Sequence, residues 1–362
     1  MEYASPPAAA RCGSFRDIPI DILRGLAIVL MIMANLVPAL FMPPVPGWFR
    51  FLCSLAAPLF IVTAGMMVAL SRTGKGRSFG HIALRGCLVI VAAFLLQLLV
   101  LRYIPFIDMD VLYLIGISLP LAYLYLGLPE RKRWILLAAI LLLAPVLWAG
   151  FGYNTTVIEP RFSLFSPAVP GTLVPGPADI VKSWFIDGWF PIFPWIALAL
   201  FGAEAGMYRW GKGEVYSFRF NSEGLFAAGL LIGGGLLWFL FPGAQALRGG
   251  YVELFYPPAI GLILFSAGFF LITLTVLDHL PAYFSLMDPL RATGECSLAI
   301  YLLHYTIILK VIAPLTIRLP WIPYFGVFFV LLAGMILVAY LLRNVRKTWR
   351  DQPFLVRFLI GG

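Results

Sequence analysis

The sequence predicts an all-α, polytopic integral membrane bundle of about ten transmembrane helices with both termini cytoplasmic, and three observations predict it. Hydrophobic residues fill 61% of the 362 positions and charged residues only 12%, against about 25% charged in a soluble domain. Apolar runs that can cross a hydrocarbon core of about 30 Å, which takes roughly 20 helical residues, recur from Ile20 almost to the end of the chain. The basic residues between those runs are also lopsided. Of 26 lysines and arginines, seven (Arg50, Arg102, Arg161, Lys182, Arg248, Lys310 and Arg318) fall on one side of the alternating spans and nineteen on the other. Cytoplasmic loops carry the excess of Lys and Arg, so the side with nineteen, which holds both ends, is predicted to be inside.

Taken in order, the apolar windows are 20–41, 51–70, 82–101, 111–126, 134–150, 189–208, 224–241, 256–277, 297–315 and 321–342. The first is too long for a secretory h-region and no small-residue cleavage site follows it, so it is expected to stay as a span. Residues 1–19 form an N-terminal tail, 20–342 a single membrane domain and 343–362 a basic C-terminal tail. The one long connection, 151–188, holds Pro160, Pro167, Pro170, Pro175 and Pro177 together with Phe162, Phe165, Trp184 and Phe185. It is expected to be irregular or locally helical and to cap an outward-facing cavity. Its Asn154-Thr155-Thr156 sequon is a short match that matters only in a secreted eukaryotic setting.

The net charge of +9 is explained by membrane orientation, so no nucleic-acid partner is expected; the lipid bilayer is the partner that composition demands. Cys12, Cys53, Cys87 and Cys296 show neither pairing nor metal-ligand spacing, and neither a structural disulfide nor a metal is expected. Gly233-Gly234-Gly235 lies inside an apolar span, where close helix packing explains it better than phosphate binding.

Polar groups at membrane depth are costly and mark candidate sites. Asp21 and Arg24 open the first span three residues apart, close enough to pair; they are either an interfacial anchor or a place where Arg24 receives a phosphate. Asn35 stands about 22 Å along the same helix, in its outer half and just before Pro38. It either joins helices or positions a reacting carbonyl or amine. Of three histidines only His304 is inside a span; it is a satisfied structural imidazole or a general base. Trp48 and Arg50 before the second span, Asp108 and Asp110 before the fourth, and Asp187, Trp189 and Trp195 around the sixth could line an acceptor site, although tryptophans also belong to membrane interfaces. Pro191 and Pro194 fix how that sixth helix enters the membrane. Glu204, deeper in it, needs a partner or a proton.

Four stretches carry a resemblance. Residues 21–35 (DILRGLAIVLMIMAN), 58–71 (PLFIVTAGMMVALS), 190–206 (FPIFPWIALALFGAEAG) and 294–304 (GECSLAIYLLH) resemble motifs of the catalytic-domain family of heparan-α-glucosaminide N-acetyltransferase and its bacterial relatives. The resemblance implies transfer of an acetyl group from cytosolic acetyl-CoA to an amino- or hydroxy-sugar of an extracytoplasmic glycan, in a bacterial inner membrane. By this resemblance Asn35 matches the family's active-site asparagine, and Asp21 and Arg24 its first-helix motif. Arg24, Arg85 and Arg291 are expected to hold the coenzyme phosphates, and Asn35 and His304 to be catalytic. A homodimer is one assembly left open.

In one respect the chain departs from the pattern: the animal enzyme has its catalytic histidine between the first two helices, and 42–50 (MPPVPGWFR) has none. Either His304 or another group replaces it, or the acceptor differs, or activity is lost. A transporter or flippase for a lipid-linked or small polar solute is the alternative that scattered polar groups and kinked helices leave open.

Overall fold

A computed structural model describes residues 16–102, 104–153, 175–242, 246–248, 251–253, 258–349 and 351–361. The Asn154 sequon, Cys12 and most of the predicted cap loop, Phe162 and Phe165 included, lie outside the described residues. The helices are α1 (Ile18–Leu40), α2 (Gly47–Ser54), α3 (Ala56–Ala69), α4 (Phe79–Leu95), α5 (Val111–Tyr125), α6 (Glu130–Phe151), α7 (Pro177–Lys182), α8 (Ile192–Trp210), α9 (Ser222–Leu240), α10 (Ile260–His279), α11 (Asp288–Glu295), α12 (Ser297–Ile307), α13 (Trp321–Thr348) and α14 (Phe354–Leu359). A small antiparallel hairpin pairs β1 (Ala246–Arg248) with β2 (Tyr251–Glu253).

Eight helical stretches among the described residues are long and apolar enough to cross a membrane, and the bent pair Pro177–Asp187 plus Ile192–Trp210 makes up to nine. The predicted window left over, the fourth (111–126), is α5. At 15 residues it rises only about 22 Å, short of the hydrocarbon thickness of about 30 Å. The protein is therefore a multi-pass membrane bundle in which one expected span is a short helix: Val111, Leu112, Tyr113 and Leu114 of α5 are buried against protein, while Leu121 and Leu124 further along are exposed. By contrast, α6 and α9 present most of their apolar surface outward; Leu142 and Phe239 are 67% and 82% exposed. Side chains of that kind suit lipid contact, because a bilayer imposes no penalty on apolar surface that faces it.

α1 is the centre of the bundle. Between Ile20 and Leu40 its buried side chains outnumber its open ones, and α3, α10, α11, α12 and α13 all pack on it. Its closest neighbour is α11. A Cβ on Gly25 would stand 1.9 Å from the Leu290 carbonyl oxygen, and one on Gly294 would stand 1.8 Å from that of Asp21. Only glycine allows the two backbones to approach so closely. In the triple-glycine run close packing falls on Gly234, where a Cβ would lie 2.3 Å from the Phe265 nitrogen of α10, whereas one on Gly233 would meet nothing within 4 Å.

Charges inside this frame are shared. Arg209 of α8 lies between two carboxylates, Nε to Asp17 at 2.6 Å and Nη1 to Asp278 at 2.7 Å, with all three side chains nearly sealed from solvent. Glu204 finds its partner in Arg133 of α6, at 2.6 and 3.3 Å. Unpaired burial of any of these would cost several kcal/mol by order of magnitude, which is why each is matched.

Candidate functional site

The two residues singled out separately in the first and ninth predicted spans meet. Asn35 Nδ2 of α1 stands 3.2 Å from His304 Nε2 of α12. His304 Nδ1 is 2.8 Å from the Ile300 carbonyl oxygen, and a carbonyl only accepts, so Nδ1 carries the hydrogen and Nε2 offers its lone pair to the Asn35 amide. The neutral imidazole thus satisfies both contacts, and its orientation is set by its own helix one turn back. His304 is 0% exposed, whereas Asn35 is half-buried, which leaves the pair open to its surroundings on the asparagine side. Tyr301 and Tyr305 flank the ring at centroid distances of 5.6 and 6.3 Å. Asp110, the N-cap of α5 through its 2.6 Å bond from the Val111 amide, lies close enough to Tyr301 for its charge to act there.

One end of α1 is basic and the other aromatic. At the basic end Arg24 pairs with Asp21 at 3.5 Å and donates to Ser297 Oγ, the first residue of α12, at 2.6 Å. Arg291 is committed elsewhere: its Nε donates to Glu295 at 3.1 Å. Glu295 also receives Arg343 at 3.3 Å and Arg346. Burial alone would raise the Glu295 carboxyl, but the Arg346 hydrogen bond and the charges of Arg16 and Arg343 outweigh it and hold the group below its ordinary value.

Arg85 has a different environment. Its guanidinium carbon lies 5.8 Å from the centre of the Phe358 ring, and the charges around it are Arg24 and Arg77. Lys75, absent from the sequence-based set and exposed, joins them: partial desolvation by the surrounding protein, then repulsion by Arg85, Arg16 and Arg77, pulls its ammonium below the ordinary lysine value against a weaker pull from Asp21. Cations that gather this way favour an anion. Of the three arginines expected to hold phosphates, Arg24 and Arg85 lie within range of each other's charge, while Arg291 is tied to Glu295.

The residues expected to bind an acceptor are spread over several settings. Trp48 is 59% exposed and lies flat against Trp321 at 5.5 Å; Arg50 follows it in α2. Asp108 knits loops together, accepting from the Met109 amide at 2.8 Å, Ser183 Oγ at 3.0 Å and the Trp189 amide at 3.4 Å. Asp187 pairs with Lys182 at 3.0 Å. Trp195 is 0% exposed and packs on Phe190 at 5.2 Å, so its indole belongs to the core of α8 and not to a surface rim. Besides Lys75, sequence reasoning missed Ser297 as the partner of Arg24, although Ser297 lies inside the 294–304 motif.

The profile of the family described as heparan-alpha-glucosaminide N-acetyltransferase, catalytic, matches residues 16–240. The chain belongs to that family. Its family is thus one of membrane acetyltransferases, and the matched stretch contains Asp21, Arg24, Asn35, Arg85 and the acidic and tryptophan positions. No protein among the curated sequences matches the chain. The stretch ends with the last residue of α9, so the acetyltransferase match does not include α12. What joins His304 to the family's segment is the contact with Asn35.

Proposed function

We propose that this family member moves an acetyl group from acetyl-CoA on the cytoplasmic side, where the basic end of the bundle lies, to an amine or hydroxyl of a saccharide on the outer side. The observation that carries the reading is the 3.2 Å contact between Asn35 and His304, two residue types that supply the two things acyl transfer from a thioester requires. His304 Nε2 takes the proton of the acceptor N–H or O–H as its nitrogen or oxygen bonds to the acetyl carbon. The Asn35 amide, which now donates to Nε2, turns its N–H to the thioester oxygen and stabilises the negative charge that develops there. That exchange also frees the Nε2 lone pair for the proton. Collapse then breaks the C–S bond, the coenzyme leaves as a thiolate, and the imidazolium returns the proton to it.

Donor phosphates suit the cluster of Arg24, Lys75, Arg77 and Arg85, since charge-assisted hydrogen bonds to phosphate are the strongest available to these side chains. Trp48, with one face on Trp321 and the other open, suits the apolar face of a sugar. The rest of the acceptor set (Arg50, Asp108, Asp110, Asp187 and Trp189) would have to give up loop contacts or share them.

The test incubates the purified full chain in liposomes with radiolabelled acetyl-CoA and a panel of amino- and hydroxy-sugars, beside Asn35→Ala and His304→Gln. Label on an acceptor, lost in both variants, supports the reading. Solute counterflow without label transfer would replace it with the transporter alternative.

A further inference from the structure

Pro38 has no N–H, so the Ala34 carbonyl, one residue before Asn35, lacks the donor that residue i+4 supplies elsewhere in an α-helix. Helices bend and loosen at such breaks. The segment around this break is held from outside α1, by residues 318–324. Tyr324 Oη donates to the Met33 carbonyl at 2.8 Å, Arg318 Nη1 to the Pro38 carbonyl at 2.7 Å, and the Leu319 amide to the Leu40 carbonyl at 2.7 Å. The Met42 amide answers with a 3.0 Å bond to the Leu319 carbonyl. Tyr324 is 0% exposed, its ring wedged against Phe41 and Phe49 at 4.9 and 5.9 Å. A buried phenol hydroxyl needs an acceptor, and this one has taken a backbone oxygen two residues from Asn35.

We infer that Tyr324 is a positioning residue for the Asn35–His304 pair, clamping the rotation of α1 where Pro38 interrupts its hydrogen-bond ladder. The pair depends on one hydrogen bond between two helices, so rotation of α1 acts on it directly. A side-chain group about 6 Å from a helix axis moves about 1 Å for a turn of about 10°. A misplacement of about 1 Å can lower a rate by about a hundredfold.

The kinetic half of the test rests on the acyl transfer proposed above; the spectroscopic half does not. With acetyl-CoA and a glucosamine acceptor, Tyr324→Phe is expected to lower kcat roughly ten- to a hundredfold while the KM for acetyl-CoA stays within about twofold, because the donor's phosphate end is far from the clamp. In the same full-length protein with ¹⁵N-labelled histidine, which offers only three imidazoles, the His304 Nε2 resonance is expected to move in the direction produced by Asn35→Ala. Loss of the hydroxyl could also lower stability, so Arg318→Gln, on an exposed side chain, loosens the same clamp from the other side of Pro38 and should move both readouts the same way by less. Unchanged kcat and an unmoved resonance in both variants would overturn the inference. A moved resonance in a protein that transfers no acetyl group would keep the clamp and remove the transfer reading.

Discussion

The two polar regions along α1 are built on opposite plans. At the basic end Asp21 and Glu295 are shared among Arg16, Arg24, Arg291, Arg343 and Arg346, so that no single contact carries the frame. Three turns further along, one hydrogen bond joins Asn35 to His304, and its donor and acceptor are both neutral. Charge can be kept in a low-dielectric interior only when it is divided among partners. A neutral amide and imidazole need only complementary geometry, which leaves them free to exchange partners during a reaction. On the proposed reading, the redundant contacts mainly hold the frame and the single contact is the one the chemistry would use.

The contrast can be broken most directly at its sparse end. His304→Gln should lower acetyl transfer roughly 10²- to 10⁴-fold, the usual contribution of a general base, with only a small change in melting temperature. A comparable fall in stability instead would make His304 a packing residue. The opposite profile is expected for Arg209→Met, which leaves Asp17 and Asp278 buried without their shared cation. Stability should fall by about 3–5 kcal/mol in thermal denaturation, with the activity per folded molecule unchanged.

The shared acid at the basic end also predicts a pH dependence. Glu295 titrates below its ordinary value in the folded protein, so its contribution to stability is complete above the unfolded pKa and disappears as pH falls through the folded one. Melting curves taken from neutral to acid pH should show that decline in the wild type and a flatter one in Glu295→Gln. The smallest effect sharpens the division between frame and ligand site. Lys75→Gln should raise the KM for acetyl-CoA by roughly three- to tenfold, equivalent to about 1 kcal/mol, and weaken the salt dependence of donor binding without touching stability. A matching loss of stability would assign Lys75 to the frame with Arg291.

Much of this was legible in sequence. The ten apolar windows correspond one for one to helical segments, because a long apolar run satisfies its backbone as a helix whether lipid or protein surrounds it. Asn35 and His304 stood out for the same reason: an amide or imidazole inside such a window is costly enough to be noticed. Trp195 misled because tryptophan is common both at interfaces and in cores, and a one-dimensional pattern does not distinguish a rim from a buried helix start. Lys75 was overlooked because it lies among loop cations that orientation already explained; its repulsive neighbours, Arg85 and Arg16, come from other segments. The burial of the first turn of α5 was hidden for a similar reason, since an apolar window reads alike whether lipid or protein surrounds it; its shortness was already visible in the window 111–126.

By itself, then, the sequence determined that this protein is a multi-pass helical membrane protein and which few polar residues its spans contain, since both follow from the cost of placing backbone and charge in hydrocarbon. Only the tertiary structure decided that Asn35 and His304, 269 positions apart, share a hydrogen bond, that Arg85 and Lys75 come within range of each other's charge, and that Tyr324 grips α1 beside its proline. Those are relations between helices, set by rotation and close approach at glycine contacts such as Gly25 and Gly294. No periodicity within a single helix records them.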